Sequence, residues 1–124
     1  MEGQVLEEQL HKSRVVKVDS LETWDSFATQ GSPIVVHFTA SWCMPSVAMN
    51  SFFEELASNY PDVQFLTVDV DEVKEVATRL EIKAMPTFLL MKEGAQVDKL
   101  VGANPEEIRK RIDGFVQSIN VNDA

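Results

Sequence analysis

The run Ile34–Thr39 (IVVHFT) constrains the fold more than any other segment, because it is apolar at almost every position. A strand with one wet face alternates apolar and polar residues. A nearly continuous apolar run instead marks a central strand covered on both faces. Val63–Val68 (VQFLTV) is a second buried strand of the same kind. Between them Phe52, Phe53, Leu56, Ala57 and Tyr60 recur at helical spacing, which predicts a helix from about Cys43 to Asn59, closed by Pro61. Strands that alternate with helices in this way build a parallel sheet with helices on both faces.

The remaining segments extend that pattern. Arg14–Val18 (RVVKV) reads as a short strand. Leu21–Thr29 reads as a helix with Ser20 as its N-cap, Leu21, Trp24, Phe27 and Ala28 on one face, and Gly31-Ser32-Pro33 as its stop. Glu72–Leu80 carries Val73, Val76, Ala77 and Leu80 at helical intervals. Thr87–Met91 and Val97–Val101 flank the turn signal Glu93-Gly94 and predict a hairpin, which adds antiparallel edge strands. Asn104, Pro105 and Glu107 form a helix start, after which Ile108, Ile112, Phe115 and Ile119 line one face. The expected class is α/β, in the order βαβαβαββα, as one domain of 124 residues with no internal repeat or linker.

The net charge of −9 argues against nucleic acid and anionic membranes as partners, since phosphate contacts need clustered Lys and Arg. One cysteine, Cys43, excludes any intramolecular disulfide and favours a reducing compartment. Residues 1–13 form a polar tail with no apolar run, so no signal peptide is expected, and no stretch is long and apolar enough to span a membrane. These readings together predict a cytoplasmic protein. Its two histidines and one cysteine do not cluster, so no protein-only metal site is expected.

Cys43 falls where the strand ending near Thr39 turns into a helix. Helix starts carry unpaired N–H groups and partial positive charge, and cysteines placed there become thiolates more readily than free ones. Such a sulfur both attacks and leaves mixed disulfides easily. The competing reading is a buried, inert structural cysteine. Its neighbours Trp42 and Pro45 and the strand-to-helix turn favour the reactive one.

The segment VVHFTASWCMPS resembles the active-site segment of thioredoxins, in which Trp-Cys-x-Pro-Cys follows the central strand. KAMPTF (Lys83 to Phe88) resembles that family's cis-proline loop, and Val101-Gly102-Ala103 its late glycine. The likeness runs from about Arg14 to Ile119 and is strongest toward the plant h-type branch and its single-cysteine CXXS subgroup. It implies a thioredoxin fold: a central mixed β-sheet with helices on both faces over residues 14–119, with 120–124 as a C-terminal tail. It implies Cys43 as nucleophile and Trp42, Met44, Pro45, Met85 and Pro86 as the substrate-contact surface, with Met85-Pro86 a cis peptide whose backbone pairs with an extended substrate.

Three departures from the family accompany one another. Ser46 stands where the second cysteine belongs, His37 where the family has a buried Asp, and Thr67 where that Asp has its Lys partner. Without a second cysteine no base is needed to deprotonate it. Ser46 either donates a hydrogen bond toward the Cys43 sulfur or simply starts a helix. His37 either tunes Cys43 electrostatically or is a hydrogen-bonded core residue. Met44 is either a contact residue or a neutral surface substitution.

The expected function is monothiol thiol–disulfide exchange on protein disulfides, isomerase-like and weakly reducing. Cys43 forms a mixed disulfide that an external thiol releases. No resident cofactor is expected; glutathione or glutaredoxin serves as reductant. A monomer is expected, with a Cys43-linked dimer under oxidising conditions left open. The alternative is a binding module that holds partner proteins with little or no catalysis. A third reading, by likeness to monothiol glutaredoxins, is a dimer that holds an iron–sulfur cluster with glutathione as outside ligand.

Overall fold

A computed structural model describes residues 13–123, with backbone alone for 120–123. The polar tail expected over residues 1–13 therefore lies outside the described residues except for Ser13. Five strands, β1 (Val15–Val18), β2 (Ile34–Thr39), β3 (Gln64–Asp69), β4 (Thr87–Lys92) and β5 (Ala95–Val101), form one sheet in the order β1-β3-β2-β4-β5. β3 pairs in parallel with both β1 and β2, whereas β4 runs antiparallel to β2 and β5. The sheet is mixed, as expected.

β2 sits at its centre, and Ile34 to Phe38 are all buried. Alternate residues point to opposite faces. Ile34, Val36 and Phe38 join Trp24, Val73 and Val76 on the side covered by α1 (Leu21–Thr29) and α4 (Lys74–Arg79). Val35 joins Phe53, Leu56, Ile108, Ile112 and Phe115 on the side covered by α3 (Asn50–Asn59) and α5 (Pro105–Asp123). The nearly continuous apolar run is thus the record of two cores separated by one strand.

The caps match the sequence signals. Ser20 Oγ accepts the Thr23 N–H at 3.1 Å and Asn104 Oδ1 the Glu107 N–H at 3.2 Å, each satisfying a donor that a helix start leaves unpaired. Glu93 and Gly94 both take positive φ (56° and 76°), the geometry of a two-residue hairpin turn that suits strand twist. This tight turn starts β5 at Ala95, earlier than the expected Val97, and Val97 becomes the extra residue of a bulge opposite Leu90 and Met91. α5 continues past Ile119 to Asp123.

One element departs from expectation. The single helix predicted from Cys43 to Asn59 is two: α2 (Met44–Val47) and α3. The Met49 N–H bonds to the Ser46 carbonyl at 3.0 Å, a three-residue step that overtightens the turn before Phe53 N–H restarts the α pattern on Met49. The tightening keeps Ser46, Met49 and Phe53 all buried against the sheet.

Candidate active site

Cys43 caps α2 with extended backbone (φ −98°, ψ 98°). Its carbonyl accepts the N–H groups of Ser46 (3.1 Å) and Val47 (3.0 Å), and its own N–H donates to Ala40 (3.0 Å). The residue is therefore fixed by backbone bonds on both sides of the strand-to-helix turn. Its thiol is half-buried and donates to the Met85 carbonyl oxygen at 3.4 Å.

The Met85-Pro86 peptide is cis. Met85 is half-buried and Pro86 buried. The loop they form is held by Thr87 Oγ1, which donates to Ala84 (2.6 Å), and by the Pro86 carbonyl, which accepts the Gly102 N–H (2.9 Å). The Met85 backbone carbonyl faces the sulfur.

Trp42 and Met44 flank Cys43 and are 64% and 66% exposed, beside an exposed Pro45. These large apolar side chains lie in water around a half-buried sulfur and are not part of the core. The Trp42 indole N–H donates to the Asp71 carboxylate at 2.7 Å. Asp71 follows β3, where its own N–H bonds the Asp69 side chain at 2.8 Å. Sequence reasoning missed Asp71, since nothing local marks an acid 29 positions away as the partner of Trp42. Trp24, by contrast, is buried against Phe38.

Ser46, His37 and Thr39 meet below this surface. Ser46 is completely buried; its hydroxyl donates to Thr39 Oγ1 at 2.6 Å and lies 3.2 Å from His37 Nε2. The Ser46 hydroxyl has Thr39 and His37 as its partners and makes no hydrogen bond to the Cys43 sulfur among the described residues, so of the two readings left open for Ser46 the donor to sulfur is not seen. His37 is also completely buried, stacked on Phe88 (4.6 Å between centroids) and tilted against Phe53 (5.2 Å). Its Nδ1 has no hydrogen-bond partner among the described residues. Burial lowers its pKa to about 4. At pH 7 the imidazole is neutral, so it brings no positive charge to Cys43, and electrostatic tuning by an imidazolium is ruled out there. The core reading of His37 fits, with one ring nitrogen paired. Thr67 sits beside it in register and donates to the His37 carbonyl at 3.4 Å.

Residues 14–114 match the family model described as Thioredoxin. The chain belongs to the thioredoxin family. It is 66% identical over 113 residues to the Thioredoxin-like protein CXXS1 of Arabidopsis thaliana, covering 88% of this chain and 96% of that protein. The CXXS1 protein of Oryza sativa subsp. japonica is 50% identical, over 88% of this chain and 85% of its own length. The crystal structure of a poplar thioredoxin h superimposes with a TM-score of 0.79 at 38% identity, covering 83% of this chain and 96% of that one. The fold is that of thioredoxins, and the oxidoreductase chemistry of this thioredoxin-family chain has a single thiol to work with, Cys43. Among the described residues no cluster of three or more His, Cys, Asp or Glu side chains could hold a metal ion, and no helix is long and apolar enough to cross a membrane.

Proposed function

We propose that this protein catalyses thiol–disulfide exchange on protein disulfides as a monothiol enzyme, isomerase-like and weakly reducing, in a reducing compartment such as the cytoplasm. The Cys43 thiolate attacks a substrate disulfide, forming a Cys43–substrate bond and expelling the other substrate sulfur as a thiolate. A second thiol then attacks the substrate sulfur and frees Cys43. If that thiol belongs to the substrate, its disulfides are rearranged with no net change in oxidation state. If it is glutathione, a second glutathione completes the reduction and leaves as glutathione disulfide; glutaredoxin can take the same part. Cys43 has no internal partner for this second step, because Ser46 occupies the position and is bound to Thr39.

The observation that carries this reading is the surface around the sulfur: a half-buried thiol beside the Met85 carbonyl, between exposed Trp42 and Met44. An extended polypeptide laid along the Met85 backbone, in the manner of an added strand, would bring its disulfide to Cys43.

The test is refolding of scrambled ribonuclease in a glutathione buffer, with insulin reduction by thioredoxin reductase and NADPH as counterpart. Wild type should restore ribonuclease activity, and Cys43→Ser should restore none above buffer. Insulin turnover by the reductase should be absent, because the chain forms no internal disulfide to be reduced. Efficient reductase-driven turnover, or full exchange by Cys43→Ser, would overturn the proposal. Partner capture that survives Cys43→Ser without exchange would make the protein a binding module instead.

A further inference from the structure

His37 and Thr39 stand two residues apart on β2 and so share a face, and Ser46 is bonded to both. Ser46 also donates its backbone N–H to the carbonyl of Cys43. The first turn of α2 is thereby hung on the last core-facing residues of β2. On the other side of the sulfur, Met85 belongs to the loop entering β4, which is locked to β2 in the register His37↔Phe88 and Phe38↔Thr87. The 3.4 Å between Sγ and the Met85 oxygen is the gap between two elements hung on the same strand.

Packing and hydrogen bonds both hold the hung turn. The His37 ring is fixed between Phe88 and Phe53, so Nε2 is a rigid anchor. Beside Thr39, a cavity of about 350 Å³ lies among the described residues between the sheet and α3, bordered by Ser13, Lys17, Asn50, Phe53, Thr67 and Asp69. Ser46 is fully buried and does not border that space, but Thr39, its hydroxyl partner, does; directional hydrogen bonds therefore add to packing in setting where the Ser46 side chain rests.

We propose that His37, Ser46 and Thr39 act as a strut that positions Cys43 against the Met85 backbone for polypeptide substrates. The inference rests on Cys43 being the exchanging sulfur. The three are positioning residues. A polypeptide disulfide must engage the Met85 backbone and the sulfur together and so depends on their spacing, whereas a small disulfide needs the sulfur alone.

Two probes with the same leaving group separate these demands: Ellman's disulfide, and a peptide whose central cysteine carries thionitrobenzoate. In both, the Cys43 thiolate attacks one sulfur, a new disulfide forms, and thionitrobenzoate leaves and is read by its absorbance. Thr39→Val keeps the shape and removes the hydroxyl; Ser46→Ala removes the central link. Each should slow reaction with the peptide about tenfold, the scale of a sub-ångström misplacement, and reaction with Ellman's disulfide less than about twofold. The double variant should lose no more than Ser46→Ala alone, because removing the Ser46 hydroxyl already breaks its bond to Thr39. Thr39→Ser, which keeps the hydroxyl, should stay within about twofold of wild type. Equal loss on both probes would overturn the strut, as would no loss on the peptide, or Thr39→Ser falling as far as Thr39→Val. If Ser46→Ala fails to fold, the Thr39 pair decides alone. A wild-type protein that releases thionitrobenzoate from neither probe would instead bring down the exchange reading, and this inference with it.

Discussion

Cys43 and Ser46 lie three residues apart on one turn, yet they belong to different worlds. Around Cys43 the surface is apolar and wet: Trp42 and Met44 hold their side chains in water, and the sulfur is reachable. Around Ser46 the interior is dry and polar: a hydroxyl, an imidazole and a threonine, two of them fully buried and linked to one another. Each region inverts the ordinary rule, with apolar groups outside and polar groups inside. The outer inversion is tolerated because a partner can cover it. The inner one is tolerated because its hydroxyls and one imidazole nitrogen pair, leaving only His37 Nδ1 without a partner among the described residues; breaking a pair there would cost about 1–3 kcal/mol. The contrast teaches that losing the second sulfur did more than subtract a reactive group. The position now serves the architecture under the first.

If the inner region is structural, damage there should show first in stability. Phe53→Ala removes a ring that packs on His37, Phe65 and Phe88. It should cost about 3–5 kcal/mol in denaturant unfolding. A loss below about 1 kcal/mol would mean that the histidine's aromatic surround is not part of the core.

Protonation of His37 gives the next largest effect. Its pKa is 6.5 when unfolded and about 4 in the folded chain. Between these values the unfolded state binds more protons, so stability should be complete above about pH 6.5 and fall as the pH drops toward 4. The loss should reach about 3 kcal/mol. Carboxylates titrate in the same window, so the His37 share is the difference between wild type and His37→Phe, whose unfolding free energy should vary less with pH. Identical pH profiles would show that the imidazole is not held neutral.

The outer region should respond in the opposite way, in rate rather than stability. Trp42→Phe keeps an aromatic face but loses the hydrogen bond to Asp71. It should change unfolding free energy by less than about 1 kcal/mol, since the pair is exposed. It should slow exchange with a polypeptide disulfide about twofold. A large stability loss would erase the distinction between the two regions.

The strands, the hairpin, the capped helices and the place of Cys43 could be read directly because each rests on neighbours in sequence. IVVHFT is apolar because the strand is covered twice, and Asn104 and Glu107 are one helical turn apart. The Met85-Pro86 loop was expected through a motif, and the fold brings it to the sulfur from 42 positions away. The break between α2 and α3 had no such local mark. The residues from Cys43 to Asn59 all suit a helix, and the tightened turn at Met49 follows from packing Ser46, Met49 and Phe53 on one sheet face.

The sequence by itself determined that this is a two-faced α/β sheet with one sulfur at the head of a helix, because periodicity, caps and turns are set by residues a few positions apart. Tertiary structure alone decided which partners Ser46 bonds, that His37 is neutral, and that Asp71 holds Trp42. Those outcomes depend on burial and on distances between residues remote in the chain, and neither quantity is written in the order of amino acids.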